Sequence, residues 1–554
     1  MKKNYLLISQ IIFISISIIF WLFLLGPYYI NPLNQDWLYN GDLSIYQIGW
    51  KFFRNDIWRF PLGLNPNYGI YNGGSIVFSD SIPLLAFIFK FFEILIPDTF
   101  QYFSFWIFIC IYLQIYLSYK IIFYYSENFY YSLISSFFFL TSTIFLHRSG
   151  IHLSLMGHWL ILLYFLINIS KSISFKDNKK KILILFSSLI HFYFTIILII
   201  IYFIETIFKL KFEAKIIFKF FINNLILLIA LFLLMYVIGY FSIRIDDGIG
   251  GGYGFYNFNL SSFFNPLGFN NITGFSWSFF FKNVEFHNSN NEGFSYLGIS
   301  GLLFFALCLN NFRTGNYEVI FNRKVSISIF VFLTLLATSN NINFGEYNLF
   351  SINLNKYIYL LLSSVRASGR LIWPVFYIIF FTGILYIYFT QGKKKANIII
   401  SLLFILQIID LMPGLKNYKF GKQYTTLNEQ FVGNKDWIGL SNKFHTLRNL
   451  NPKNQSELYF NLAKHIMSEN YHKTDISYLA RINRQTLEII RENQIKKFNS
   501  KDLEIFKNTL YVTKNESLVK NLKLIYKNEL NIYFMDDIWL ISTLDDQALT
   551  KYVY

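Results

Sequence analysis

The chain has 554 residues, of which 54% are hydrophobic and only 15% are charged, and its mean hydropathy is +0.39. This composition excludes an ordinary soluble domain and predicts a polytopic membrane protein. The formal net charge of +17 does not indicate nucleic-acid binding, because lysine and arginine concentrate in the cytoplasmic loops of membrane proteins. The two cysteines, Cys110 and Cys308, lie in apolar runs and offer neither a disulfide framework nor metal-ligand spacing.

The N-terminal segment predicts an uncleaved first transmembrane helix. Lys2 and Lys3 precede an apolar run over residues 5–25, and no small-residue cleavage site follows it. The positive-inside rule then places the N-terminus in the cytoplasm. Residues 28–83 are accordingly predicted to be an outer, extracytoplasmic loop.

This outer loop contains an amphipathic helical pattern. Leu43, Tyr46, Trp50, Phe53 and Ile57 recur at spacings of three and four, which predicts a helix with one apolar face. We expect this helix to lie in the membrane interface, with Trp50 and Trp58 at headgroup level. Prolines and glycines follow the helix and predict irregular structure in the rest of the loop.

The remainder of the first 413 residues predicts further membrane spans between lysine-rich cytoplasmic loops. Residues 81–97 are apolar but short and charged, so they are predicted to pack obliquely on the outer side without crossing. Residues 182–204 have lysines on both flanks, which predicts a hairpin of two half-helices that turns near residues 187–191. The other predicted spans are residues 100–119, 130–147, 151–170, 225–243, 296–312, 326–339, 371–390 and 397–413.

Residues 414–554 differ in character from the rest of the chain. Charge rises, long apolar runs stop, and strand-like segments alternate with amphipathic helical ones. This alternation predicts a small α/β domain, and the order of the spans places it outside the cytoplasm. The predicted architecture is an α-helical polytopic membrane domain over residues 1–413, with about ten to twelve transmembrane helices, and a C-terminal extracytoplasmic α/β domain over residues 414–554.

Titratable side chains gather on the predicted outer face. No nucleotide-binding, zinc-protease or serine-hydrolase motif occurs in the sequence. An ionisable residue between apolar spans is energetically costly and is usually functional or paired, which makes these side chains candidate site residues. They are Asp36, Asp42, Asp80, His147, Arg148, His152, His158, Glu292, Arg366 and Arg370.

Five segments carry a resemblance to a known group of enzymes. In chain order they read GDLSIYQIGWKFFRNDIWRFPLGLNP, GSIVFSDSIPLLA, HRSGIHLSLMGHW, EGFSYLG and SSVRASGRLIWPV. With a first helix, an acidic outer loop and a C-terminal outer domain, the chain resembles the GT-C superfamily of membrane glycosyltransferases, and more closely an uncharacterised bacterial family near it. The resemblance covers most of residues 30–415 and, more faintly, the C-terminal domain.

The resemblance implies a GT-C-like fold and an inverting glycosyltransferase in a bacterial cytoplasmic (inner) membrane. Such an enzyme moves a sugar from a polyprenyl-phosphate-linked donor to a glycan or lipid acceptor of the cell envelope, on the extracytoplasmic face. Its expected partners are the lipid-linked sugar, membrane lipids and the acceptor, with no nucleic acid.

One carboxylate suffices for this chemistry as a general base on the acceptor hydroxyl, because a lipid phosphate is already a good leaving group. Asp42 is the first candidate for the base and Asp36 is the second. The structural alternatives are a helix N-cap for Asp42 and a solvated turn acid for Asp36.

Arg148 and His152 are the candidates for contact with the donor phosphate. Arg366 and Arg370 join them, because residues four apart share one helical face and a guanidinium binds phosphate oxygens in pairs. The alternatives are an arginine that extends into the headgroups and an arginine pair that binds anionic lipid.

A divalent cation, Mg²⁺ or Mn²⁺, is a further expected means of neutralising the departing phosphate. Asp80 and Glu292 are candidates to orient the acceptor or such a metal; their alternatives are a helix cap and a plain loop acid. Asp246 and Asp247 border a glycine-rich run that is either a lid or an ordinary loop.

Two other functions stay open at this point. A flippase or transporter of lipid-linked glycans needs no general base and would distribute charged groups through the depth of the bilayer. An envelope polysaccharide polymerase would share arginine-bearing outer loops with a transferase. The gathering of charged groups at one predicted face favours transfer.

Overall fold

The fold was analysed in a computed structural model, which is 64% helical. The structure describes residues 2–39, 41–70, 74–171, 175–210, 213–243, 253–270, 273–286, 292–424, 435–544 and 549–554. Asp246, Asp247 and the glycine-rich run beside them lie outside the described residues.

The chain divides into two compact units. The helical unit contains residues 1–32, 102–231 and 250–423, and the sheet unit contains residues 33–101, 232–249 and 424–554. The predicted boundary at residue 413 places residues 28–83 in the same domain as the membrane helices, whereas the structure groups residues 33–83 with the C-terminal segment.

Helices and strands have the following bounds. The helices are α1 (Lys2–Tyr29), α2 (Gly41–Arg54), α3 (Pro83–Phe91), α4 (Phe103–Ser126), α5 (Phe129–Leu140), α6 (Thr143–Ser149), α7 (Trp159–Ile169), α8 (Lys176–Ser187), α9 (Phe192–Ile207), α10 (Ala214–Ile238), α11 (Gly298–Thr314), α12 (Arg323–Thr338), α13 (Lys356–Ser363), α14 (Trp373–Tyr418), α15 (Glu457–Ser468), α16 (Arg484–Asn499) and α17 (Glu516–Tyr526). The strands are β1 (Leu267–Asn270), β2 (Thr273–Ser276), β3 (Asn341–Phe344), β4 (Tyr347–Ser351), β5 (Thr446–Asn449), β6 (Lys473–Thr474), β7 (Thr509–Thr513), β8 (Asn531–Met535) and β9 (Ile538–Ser542).

Several helices have the length and composition of membrane spans, as expected for a helical membrane protein. Among the described residues, four are long and apolar enough to cross a bilayer: Ser9–Tyr29, Phe103–Ser126, Ile217–Ile238 and Ser368–Tyr424. The pair α5 and α6, bent by 49°, would make a fifth. This count is lower than the predicted ten to twelve, because other predicted spans form shorter apolar helices such as Leu153–Ile169 and Phe192–Ile207.

Two predicted interruptions and one segment predicted not to cross the membrane occur in the structure. α8 ends at Ser187 and α9 begins at Phe192, where the flanking lysines predict a turn between two half-helices. α14 contains Gly392 with φ 72° and ψ 163°, a conformation that glycine adopts readily because it has no Cβ, and this break separates the predicted spans 371–390 and 397–413. The nine residues of α3 span only about 14 Å, which is too short to cross a bilayer.

The sheet unit contains a five-stranded mixed sheet in the order β6-β5-β7-β9-β8. β5 pairs in parallel with β6 and β7, while β9 pairs antiparallel with β7 and β8. Side chains of α16 and α17 pack against Tyr511 and Ile541 of the sheet in one hydrophobic cluster. The predicted small C-terminal α/β region is therefore present.

Helix α2 is buried on both sides. Trp50 is 0% exposed, and Gln47 and Lys51 on the polar side are 1% and 6% exposed. The Ser44 hydroxyl lies 2.8 Å from the hydroxyl of Tyr459 in α15. The prediction that Trp50 lies at headgroup level is wrong, because an amphipathic pattern does not specify what covers the helix, and here protein covers both faces.

Lys51 caps the C-terminal end of α15. Its Nζ donates hydrogen bonds to the carbonyl oxygens of Met467 (2.7 Å) and Glu469 (2.5 Å). The last carbonyls of a helix lack intrahelical donors, so the Lys51 Nζ satisfies acceptors that would otherwise stay unbonded in a buried place. Burial lowers the pKa of Lys51 to about 8, against the opposing effects of Asp98 and Glu469.

Replacing Lys51 by methionine keeps the side-chain length and removes the donor. We expect Lys51→Met to reduce the stability of the full-length chain by about 1.5–3 kcal/mol, the usual range for a hydrogen bond to a charged group. Thermal unfolding in detergent, followed by tryptophan fluorescence, measures this loss. The matched control is Lys496→Met on the exposed side of α16, and an equal loss in both variants would contradict the capping role.

The same lysine gives the wild type a pH dependence. Its pKa falls from 10.5 to about 8 on folding, so between these values the unfolded chain binds more protons than the folded chain, and stability should rise with pH. We expect the wild type to gain stability from pH 8 to pH 10.5 relative to Lys51→Met. If the stability of the two proteins changed with pH in the same way, the lowered pKa of Lys51 would be contradicted.

Candidate functional site

Glu292 joins three of the resemblance segments within the helical unit. Its Oε2 accepts hydrogen bonds from Arg148 Nη1 (2.8 Å) and Arg370 Nε (2.9 Å), and its Oε1 accepts one from Arg370 Nη2 (2.9 Å). His152 Nε2 lies 3.4 Å from Oε1. The segments HRSGIHLSLMGHW, EGFSYLG and SSVRASGRLIWPV therefore meet at one carboxylate, and we call these four side chains the Glu292 cluster.

Aromatic rings and a backbone carbonyl fix the two guanidinium groups. Arg148 is 1% exposed, donates a further hydrogen bond to the Glu292 carbonyl (2.9 Å) and lies 5.4 Å from the ring centroid of Trp373. Arg370 lies 4.5 Å from the ring centroid of Tyr193. Cation–π contacts at desolvated sites of this kind are favourable, so both arginines are held on two sides.

Helix α14 positions the segment that carries Glu292. Asp410 accepts hydrogen bonds from the Tyr296 hydroxyl (2.7 Å) and the Ile299 N–H (2.9 Å), and Gln407 Oε1 accepts one from the Ser300 N–H (3.0 Å). These two N–H groups belong to the first turn of α11, where backbone donors lack intrahelical acceptors. Sequence reasoning missed both capping side chains, although a lone acid in an apolar helix signals a required partner.

The Glu292 cluster carries net positive charge. One carboxylate faces two guanidinium groups, which leaves one positive charge uncompensated even when the histidine is neutral. Burial alone raises the pKa of the Glu292 carboxyl, but Arg370, Arg148 and His152 together outweigh burial and hold the pKa well below its ordinary value. Glu292 is therefore an anion at neutral pH and a weak base, and its geometry is that of an ion-pair partner for the arginines.

The cluster is not sealed from its surroundings. The side chains of Glu292, His152 and Arg370 are 17%, 16% and 10% exposed. A charged group in an apolar region is costly unless paired, and here the pairing is complete for the carboxylate but leaves excess cationic charge. An incoming anion is the chemical species that this excess favours.

The predicted site residues Asp36, Asp42 and Asp80 lie in the sheet unit, whereas Glu292 lies in the helical unit. α2 begins at Gly41, so Asp42 occupies its first helical turn, where the partial positive charge of a helix N-terminus favours a carboxylate. Asp36 is exposed at the start of the 3₁₀ helix Asp36–Leu38. Asp42 is consequently inside the helix, and the N-cap alternative does not describe it.

Asp80 lies in a strained turn. Its φ is 53° and that of Ile82 is 52°, a backbone region in which a β-branched residue is an outlier that costs about 1–3 kcal/mol. Ile82, and not Asp80, is the N-cap of α3. The cap alternative for Asp80 is therefore wrong.

This strained turn packs directly on α2. The Ser81 hydroxyl donates a hydrogen bond to the Tyr46 carbonyl (2.8 Å), one helical turn beyond Asp42. A Cβ added to Gly49 would lie 2.3 Å from the Ser79 hydroxyl, so only glycine permits this approach. The turn that carries Asp80 therefore packs on the middle of α2, at Tyr46 and Gly49.

Two other predicted residues stay apart from these groups. Arg366 is partly exposed between α13 and the 3₁₀ helix Ser368–Ile372, and it forms no ion pair within the part of the chain that the structure describes. His158 is fully buried, and its Nδ1 lies 2.9 Å from the Tyr377 hydroxyl. His158 is therefore a histidine of the protein core.

The expected Mg²⁺ or Mn²⁺ stays a prediction. Within the described ranges, no three His, Cys, Asp or Glu side chains group closely enough to hold a metal ion. Both carboxylate oxygens of Glu292 are engaged with arginine. Asp246 and Asp247 lie outside the described residues.

Comparison with protein families gives two matches. Residues 14–412 match a family described as a domain of unknown function, DUF6311. The chain belongs to the DUF6311 family. Residues 436–543 match the DUF6311 C-terminal domain, and the curated proteins contain no match to this chain. Within this DUF6311 chain, the Glu292 cluster, Asp42 and Asp80 all lie inside the first matched region.

Replacing Glu292 by glutamine would leave two buried guanidinium groups of this DUF6311 protein without their counter-charge. Breaking a buried ion pair costs about 3–5 kcal/mol, and we expect the lower end for Glu292→Gln at pH 7 because the carboxylate is partly exposed. Thermal unfolding in nanodiscs measures the loss. Glu285→Gln, an exposed acid in the same unit, is the matched control and should be neutral.

The effect of Glu292→Gln should depend on pH. Because folding lowers the pKa of Glu292 from 4.5, its stabilisation is fully present above that value and is lost as pH falls toward the folded pKa. The difference between wild type and variant should therefore shrink as the pH is lowered below about 4.5. A difference that is constant down to pH 3 would show that the variant acts by some route other than charge.

Proposed function

We propose that this DUF6311 protein is an inverting membrane glycosyltransferase of the GT-C type. It moves a sugar from a polyprenyl-phosphate-linked donor to a cell-envelope acceptor on the outer face of a bacterial cytoplasmic membrane. The Glu292 cluster carries the proposal, because it has a net positive charge and lies among apolar helices. A lipid phosphate is complementary to both features, since its tail is apolar and its head is anionic.

The donor side of the proposed reaction rests on the two arginines of the cluster. Glu292 holds the Arg148 and Arg370 guanidinium groups in fixed orientations, so little reorganisation is needed when negative charge develops on the leaving phosphate. Arg148 Nε is a buried donor with no hydrogen-bond partner among the described residues, and a phosphate oxygen is a suitable acceptor for it. No step of the proposal passes through a metal ion.

The acceptor side rests on Asp42. Its carboxylate takes the proton of the acceptor hydroxyl while the acceptor oxygen bonds to the anomeric carbon. The bond from that carbon to the phosphate oxygen breaks, and its electron pair leaves with the phosphate. The strained turn that carries Asp80 supports this role, because backbone strain is commonly retained where it serves a site.

A second buried charged group favours the alternative of a lipid-linked glycan transporter. Lys180 Nζ pairs with Glu205 at 2.6 Å, with side chains only 4% and 3% exposed. The Tyr164 hydroxyl donates a further hydrogen bond to Glu205 (2.9 Å). These residues lie on α7, α8 and α9, apart from the Glu292 cluster in the chain. A transport path needs several charged sites along its length, whereas a transferase needs one.

The Asp42→Asn variant tests the transferase proposal. Loss of a general base lowers rates by about 100-fold or more, so the deletion strain complemented with Asp42→Asn should lack the same single sugar as the deletion itself. Mass spectrometry of surface glycans from the producing bacterium measures this, at matched protein levels. Asp98→Asn, an exposed acid of the same unit, should restore the glycan fully.

Two outcomes would contradict the proposal in different ways. Full restoration by Asp42→Asn would remove Asp42 from the mechanism. Loss of the whole glycan in the deletion, with full rescue by Asp42→Asn, would favour the transporter.

A further inference from the structure

The sheet unit contains a cleft at the carboxyl ends of β5 and β7. Its volume is about 530 Å³, within the range of about 300–1,000 Å³ that small-molecule sites occupy. The residues that follow β5 and β7 and the first turns of α15 and α17 form its lining. The cleft lies apart from Asp42 and Asp80 in the chain, and none of the proposed transferase residues line it.

The position of the cleft in the fold is distinctive. β6 and β7 flank β5 on opposite sides, and all three strands are parallel. The strand order therefore reverses after β6, and the point of reversal lies between β5 and β7. α16 and α17 contribute to the hydrophobic cluster on one face, whereas α15 packs against α2. In open α/β sheets, ligands bind outside the carboxyl ends of the strands at such a reversal, and this cleft occupies it.

The lining of the cleft is polar and formally neutral. Asparagine, serine and threonine side chains alternate with two lysines and two glutamates, and Leu458 is the one apolar side chain that lines it. Lys453 and Lys514 are balanced by Glu457 and Glu516. Lys514 Nζ pairs with Glu457 Oε1 at 2.5 Å, which joins the segment after β7 to the segment after β5.

This composition disfavours an anionic ligand. Glu457 and Glu516 stand in the first turns of α15 and α17, where a phosphate would otherwise bind to a helix N-terminus. Neither connection contains a glycine: they read NLNPKNQSE over residues 449–457 and TKNE over residues 513–516. A phosphate-cradling loop needs glycines so that the backbone can approach the phosphate closely.

We propose that this cleft binds a neutral, hydroxyl-rich saccharide. Amide, hydroxyl, ammonium and carboxylate groups together supply both donors and acceptors, which is what a ring of hydroxyl groups requires, while the balanced charge gives no preference for an ion. The further identification of this saccharide as the acceptor glycan rests on the proposed transferase function. Saccharide binding by the cleft does not depend on that function, because binding is measurable without turnover.

Binding of the full-length chain to a printed array of oligosaccharides tests the proposal. The protein is embedded in nanodiscs and labelled, and the probes are neutral hexose and N-acetylhexosamine oligosaccharides with sulfated counterparts of the same lengths. We expect retention on neutral probes that is unchanged between 50 and 500 mM salt, since charge contributes little. Lys514→Ala should weaken retention about tenfold, as expected for a lost hydrogen bond to a charged group.

The chain offers a close control for this variant. Lys501 and Glu529 form an ion pair of the same 2.5 Å length elsewhere in the sheet unit, so Lys501→Ala removes a comparable pair without touching the cleft and should bind as the wild type does. Equal thermal unfolding of both variants establishes that each is folded. The proposal is overturned by retention on sulfated probes only, by equal retention in Lys514→Ala, or by no retention on any neutral probe.

The array also separates this inference from the transferase. If the Asp42→Asn variant still binds neutral saccharides, the assignment of the saccharide site to the cleft is supported. This conclusion does not depend on the surface glycans of the strain that carries the variant. Loss of binding in Asp42→Asn with normal unfolding would place the saccharide elsewhere and overturn the cleft.

Discussion

Glu292 is the constraint on which the helical unit depends. Charged side chains among apolar helices are tolerated only when they are paired, and the Glu292 carboxylate pairs with two arginines at 2.8 and 2.9 Å. Because Arg148 is 144 residues and Arg370 is 78 residues away in the chain, this one side chain fixes the relative positions of three distant segments. The caps that Asp410 and Gln407 provide for α11 hold the segment of Glu292 in place.

Buried cations of the sheet unit are also paired, and their partners are backbone carbonyl oxygens. Lys51 donates to the end of α15, Lys90 Nζ to the Phe53 carbonyl (2.6 Å), and Arg54 Nη1 to the Pro97 carbonyl (2.9 Å). Each cation satisfies acceptors that an irregular or terminal segment leaves open. Lys51, Arg54 and Lys90 therefore hold segments of the sheet unit together.

Sequence patterns predicted features that depend on neighbouring residues. Helical character, the break before Phe192, the break at Gly392 and the small α/β region all follow from periodicity, flanking charge or backbone freedom. The patterns did not predict the burial of α2, because the stripe around Trp50 shows which residues are apolar but not what covers them.

The candidate site was harder to predict than the fold. Arg148, His152, Glu292 and Arg370 could each be selected as ionisable residues in apolar surroundings, but local sequence carries no information on long-range pairing. Glu292 was therefore expected to orient an acceptor or a metal, and its pairing with two arginines could not be predicted. Asp42 and Asp80 lie on elements that meet at α2, a relationship that depends on the close approach at Gly49.

The Glu292 cluster is proposed to attract a lipid phosphate. Native mass spectrometry of the full-length wild type with equal amounts of a polyprenyl phosphate and the polyprenol of the same length tests it most directly, because the two lipids differ only in the anionic head. We expect a retained polyprenyl-phosphate adduct and little polyprenol adduct. Equal retention of the two lipids would contradict it.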